Sequence, residues 1–173
     1  MTFVFPDATP VLGNIKIAIL DAAADLTAID LSSEIGAAGT LDVSGFFRGF
    51  TAPITTNTGN RPQRLGTRDL YPSEGRTTFG PIEIRYPYDP QGSGSVDANK
   101  AKTKLTRGSI FIAVVRKGLP FENDFAATEK YEAWRVRATR QNKVISDGDD
   151  LAEFEIQQFL LPISAPVDGA FVA

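Results

Sequence analysis

The chain reads as a mainly β domain in which two packed antiparallel sheets form a β-sandwich or split barrel, with one short α-helix and one long loop. Three observations predict this. Ile110 to Val115 is apolar on both alternating faces, so it reads as a central strand buried on both sides. Several other runs alternate apolar and polar residues and so present one face to a core. Gly, Pro and Asn clusters separate these runs at short intervals, as turns between strands do.

Composition bounds the function. At 173 residues with 42% hydrophobic and 23% charged side chains, the chain suits one domain with its own core, spanning 1–173. No apolar run approaches the ~20 residues that cross a bilayer, and the start lacks the basic and apolar regions of a secretion signal. Assembly in a cytoplasm and no membrane partner are therefore expected. With 0 Cys and 0 His, thiol nucleophiles, imidazole bases, disulfides and most zinc or iron sites are excluded. We expect no cofactor, no metal and no enzyme activity.

Net charge is only -3, which does not suit a basic nucleic-acid binder. Its distribution is uneven. Residues 1–44 carry 6 acids against Lys16 alone, whereas residues 81–121 carry 7 bases against 3 acids. Such segregation suits head-to-tail pairing of copies, although scattered solvated charge reads equally well.

In chain order, residues 1–12 form an apolar, proline-bearing arm with Phe3 and Phe5. Ile15, Ile17 and Ile19 then alternate with Asn14, Lys16 and Ala18 as a strand with one face in and one out. Leu26 to Leu31 reads as a further extended stretch, residues 33–39 as a turn-rich linker, and Leu41 and Val43 as a short strand. Residues 45–80 hold no sustained period and read as a long loop that bears Arg48, Arg61, Arg64, Arg68 and Arg76 among recurring apolar side chains such as Leu70 and Tyr71. A connection this long is functional or disordered more often than not. It either orders on a neighbouring subunit or folds back on its own domain.

Ile82, Ile84 and Tyr86 alternate with Glu83 and Arg85 in the next strand. Asp97 is placed to cap a helix from Ala98 to Leu105 with Lys100, Lys102 and Lys104 outside. Trp134, Val136 and Ala138 alternate with Arg135 and Arg137, and Ala152, Phe154 and Ile156 alternate with Glu153, Glu155 and Gln157. These two runs suggest a hairpin in which the arginines face the glutamates. Asp147, Asp149 and Asp150 read as its turn rather than a cation loop. Residues 163–173, with Phe171, form a second apolar arm.

The order of elements resembles the major tail tube protein of long-tailed, non-contractile phages, of the kind found in actinobacterial phages. The likeness rests on Ser33-Glu34-Ile35, Gly39 to Ser44, the long loop, Tyr86-Pro87-Tyr88-Asp89-Pro90-Gln91, the lysine-bearing helix, Val114 to Gly118 and Glu132 to Val136. It implies a tail-tube-like fold and a structural virion protein whose partners are itself, the tape measure protein and tail terminator or tip proteins. Copies would close in hexameric rings and stack into a hollow tube, with DNA a transient passenger during genome ejection. Under that reading Glu83, Glu153, Glu155 and Gln157 are lumen-lining candidates. Arg61, Arg64, Arg68, Leu70, Tyr71 and Arg76 are inter-subunit loop candidates, and Phe3, Phe5 and Phe171 are arm contacts. The competing reading is a carbohydrate- or ligand-binding β-sandwich that stacks its ligand on Trp134, Tyr86 and Tyr88.

Overall fold

The computed structural model describes residues 13–21, 23, 25–60, 72–94, 97–145 and 153–173. Among these residues there are ten strands, β1 (Ile15–Leu20), β2 (Leu41–Asp42), β3 (Ile54–Asn60), β4 (Pro72–Phe79), β5 (Ile82–Pro87), β6 (Ile110–Lys117), β7 (Lys130–Ala138), β8 (Asn142–Ile145), β9 (Phe154–Pro162) and β10 (Val167–Ala170), with one α-helix, α1 (Lys100–Lys104). Eight strands form one antiparallel sheet in the order β2-β1-β6-β7-β9-β5, with β10 also on β7 and β8 also on β9. β3 and β4 form a separate two-stranded sheet.

The two layers of the core are halves of the large sheet. β7 meets β9 over only three pairs, Val136 with Pro162 to Ala138 with Leu160, after which β8 takes over as the partner of β9. The sheet turns a corner there. Ile17, Ile19, Phe111, Ala113 and Trp134 on one half then pack with Ile82, Ile84, Tyr86, Ile156 and Leu160 on the other. Leu105 at the end of α1 is buried in the same core. Among the described residues β2 and β5 end the path without pairing to each other, so no barrel closes.

β6 holds the position its composition demands, between β1 and β7 with Phe111 to Arg116 buried. Phe111, Ala113 and Val115 enter the main core, while Ile112 and Val114 enter a second apolar layer with Ala18, Leu20, Ile29, Tyr131 and Phe171. Ile110 departs from the expectation at 48% exposure, because it opens the strand on the second face at the end opposite to this cover. β1 departs too. Its second face is covered rather than wet, and Lys16 is buried with its ammonium donating to the Asn123 carbonyl at 3.0 Å.

The corner is pinned by a buried polar network. The Tyr86 hydroxyl donates to Gln158 Oε1 at 2.8 Å, and Gln158 Nε2 donates to the carbonyls of Leu105 and Thr139. Gln141 Nε2 reaches the Lys102 carbonyl from the other side. α1 is thereby fixed by side chains of β9 and of the β7-β8 break, and burial pushes the Tyr86 phenol above its usual range. Asp97 does not cap the helix; its carboxylate pairs with Lys100 at 2.6 Å.

Residues 26–31 form no full strand, but they run beside the C-terminal residues, with a parallel bridge between Asp30 and Val172 and a bond from the Val172 amide to the Ile29 carbonyl. Asp30 instead caps a single π-helical turn, Leu31–Ile35, its carboxylate accepting from the amides of Ser32 and Ser33. The expected C-terminal arm is also absent from solvent. β10 pairs with β7, and Phe171 is buried with its ring 4.4 Å from Tyr131 and 5.0 Å from Phe125. Short alternation in Val167–Ala170 gave no sign of this, because the strand depends on the open edge of β7.

Candidate assembly interface

The stretch expected as a structureless loop is a β-ribbon on a packed base. The backbone turns at Val43, whose carbonyl accepts from the amides of Phe46 and Phe47. Phe46, Phe47, Phe50, Ala52 and Phe79 then lie against the main core. Phe47 meets Tyr86 at 5.9 Å, and Phe79 meets Trp134 edge to face at 6.1 Å. Arg48 and Thr51 run along β5: the Arg48 amide donates a hydrogen bond to the Arg85 carbonyl, and Thr51 forms a β-bridge with Glu83. The apolar residues that recur in the sequence at 46–52 and 79 are thus the root of the ribbon, and they pack on their own domain.

Beyond the root the ribbon leaves the domain. Ile54 pairs with Phe79, Thr55 with Thr78 and Thr56 with Thr77, and beyond a register shift Thr58 pairs with Glu74. Glycine is required at that shift, since a Cβ on Gly75 would stand 2.8 Å from the Asn57 carbonyl oxygen. Residues 54–59 and 74–78 are exposed, and among the described residues no other strand pairs with either edge. A lone two-stranded ribbon is marginal in water, and open edges are templates for another chain. Threonine, a β-branched residue, favours extended backbone even where neither face is buried.

Of the loop candidates, Arg76 stands exposed on β4, while Arg61, Arg64, Arg68, Leu70 and Tyr71 lie outside the described residues, as do Phe3, Phe5, Asp147, Asp149 and Asp150. Phe171 belongs to its own core and is not available as an arm contact.

The lumen candidates separate. Glu83 and Gln157 lie on one outer face of β5 and β9 and bond at 2.7 Å, and Arg85 pairs with Glu83 at 3.1 Å. The Gln157 amide and Arg85 hold the Glu83 carboxyl below its usual range. Glu155 is buried rather than exposed, because Arg48 lies over it at 2.7 Å while also reaching Glu153 at 2.8 Å. Arg137 opposes Leu161 and not a glutamate, since β8 rather than β7 faces Glu155. Three carboxylates here meet two guanidiniums, so the patch keeps a negative balance.

The stacking residues of the ligand-binding reading are interior: Trp134 and Tyr86 are 2% and 0% exposed, and Tyr88 is buried beneath Lys102 and Lys143. Among the described residues no group of three or more acidic side chains could hold a metal. No described helix is long and apolar enough to cross a membrane.

Sequence reasoning missed Arg116, which is fully buried. Its guanidinium donates to the carbonyls of Pro120, Asn123 and Asp124 and to the Glu129 carboxylate at 2.7 to 3.1 Å. Arg116 and Lys16 both lie over the Phe125 ring, so the loop between β6 and β7 is wrapped around two buried cations. The available signal was an arginine continuing the only doubly apolar strand, followed by Glu122, Asp124 and Glu129.

The sequence model of a family described as phage tail tube protein matches residues 4–173. No curated protein matches the chain. Its fold is similar to that of a chain in the 6-fold symmetrised cryo-EM structure of the anti-feeding prophage (AFP) baseplate, with a TM-score of 0.55 and 6% identity over 94% of this chain and 97% of that one. With the family model matched along nearly its whole length, the chain belongs to the phage tail tube protein family and is a structural component of a phage tail.

Proposed function

We propose that six copies of this chain close into a ring, that rings stack into the hollow tube of a long-tailed, non-contractile phage of actinobacterial type, and that DNA crosses the bore during genome ejection. The β3-β4 ribbon carries this reading. It is rooted by five side chains in its own core, and among the described residues it leaves both faces and both edges to water, an arrangement that gains stability when another copy pairs with it. Pooling such strands around a ring removes the edges altogether. The tape measure protein and tail terminator or tip proteins are the expected further partners, and assembly takes place in the host cytoplasm.

A conduit has to let phosphates slide. Exposed cations would release counterions from DNA and hold it, so the bore wall should be neutral or weakly anionic. Glu83, Glu153 and Gln157 supply such a face, with Glu155 acting through Arg48. Electron microscopy of the purified protein at rising concentration tests the reading, with a variant shortened between Thr56 and Ser73 beside it. Rings or tubes from the full chain and folded, unassembled protein from the variant are expected. A wild-type chain that stays monomeric, or tubes of normal form from the shortened one, would overturn it.

A further inference from the structure

Two exposed apolar surfaces sit at opposite ends of β6, and each is flanked by charge of the opposite sign to the other. At the β6 start, directly opposed residues put Ile110, Arg137 and Leu161 in one row across β6, β7 and β9. Arg135 continues this face between buried Ile112 and the turn at Ile163, whose amide donates to the Arg135 carbonyl. Ile110, Leu161 and Ile163 are 48%, 44% and 46% exposed, and neither arginine has an ion-pair partner among the described residues.

At the other end, about 26 Å away for eight residues of strand, the loop after β6 holds Leu119 and Phe121 outward at 38% and 40% exposure. Glu122 beside them is exposed and has no ion-pair partner among the described residues. This knob is tied down by hydrogen bonds from beneath. Arg116, entirely buried, binds the carbonyls of Pro120 and Asn123 on either side of Phe121 and Glu122, and the Phe121 amide donates to the Gly13 carbonyl. A buried guanidinium spent on holding a loop that exposes two large apolar side chains indicates a surface shaped for contact.

We propose that the knob of Leu119, Phe121 and Glu122 on one copy docks against the Ile110, Arg137 and Leu161 face of the next, with Glu122 meeting Arg135 or Arg137. The occupant is a second copy because the two surfaces match in both apolar character and charge and lie at opposite ends of one strand. Contact between unlike patches is heterologous, so it repeats from copy to copy and either closes a ring or extends a filament. This rests on the self-assembly reading above and names a contact in it that is separate from the ribbon.

The chain contains no cysteine, so a Leu119→Cys, Leu161→Cys double variant reports the contact directly. Under mild oxidation it should give a ladder of disulfide-linked multimers on a non-reducing gel, and each single variant should stop at dimers. In parallel, Glu122→Arg and Arg137→Glu should each raise the concentration needed for assembly at least about tenfold, the effect of placing like charges across an interface. Combining them in one chain should restore assembly. All positions are exposed, and an unchanged melting temperature confirms that each variant folds. Wild-type tubes with no ladder, and charge variants that assemble as wild type does, would overturn this contact and leave the assembly reading standing. Loss of assembly only on deleting residues 1–10, with no ladder, would give the knob to the N-terminal arm and overturn it equally. A wild-type chain that never assembles would remove both proposals.

Discussion

The edge-to-face contact between Trp134 and Phe79 joins the central sheet to the root of the exposed ribbon. Trp134 is the sole tryptophan of the chain, so its fluorescence reports on this side of the main core. Replacing Phe79 with alanine removes a half-buried ring and its aromatic partner, at a cost of about 1–3 kcal/mol. Trp134 emission should move to longer wavelength as water reaches the indole, and assembly should weaken. Unaltered emission would show that the ribbon root does not seal the core.

Arg116 makes a second, independent test of the packing. Four oxygen partners surround a guanidinium with no exposure, so Arg116→Met strands the Glu129 carboxylate and three carbonyls. A loss of roughly 3–5 kcal/mol in urea unfolding is expected, as for other buried pairs broken from one side. Arg116→Lys should also destabilise, because one ammonium cannot span carbonyls on both sides of the loop. A loss below about 1 kcal/mol would mean that the loop is not held from within.

Asp30 gives a pH signature. Bonds from the Ser33 amide, from the hydroxyls of Ser32 and Ser33 and from the Ser32 amide pull its carboxyl down to about 2. A carboxyl depressed on folding contributes stability above its unfolded value, near 3.8, and that contribution fades as pH falls toward 2. Asp30→Asn should therefore melt lower than wild type at neutral pH, and the gap should narrow between pH 4 and pH 2. A gap independent of pH would show that the charge of the cap is irrelevant.

The central strand was legible because both its faces are apolar, and β5 because Ile82, Ile84 and Tyr86 alternate with exposed partners. The ribbon was not, since strands wet on both faces carry no hydrophobic period to read; Thr55, Thr56, Thr77 and Thr78 follow β propensity alone. β10 was hidden because four residues become a strand only where β7 offers an edge. Glu155 was misplaced because its burial depends on Arg48, 107 positions earlier in the chain by the numbering of the pair. Side-chain period locates a face, but what later covers that face is a tertiary fact.

Hydrogen exchange of the ribbon amides, compared between dilute monomer and assembled protein, tests the central claim most directly. The outward amides of residues 54–59 and 74–78 should exchange rapidly in the monomer and become strongly protected on assembly, while those of β6 remain protected in both. Ribbon amides that exchange as fast in assembled tubes as in the monomer would contradict the account.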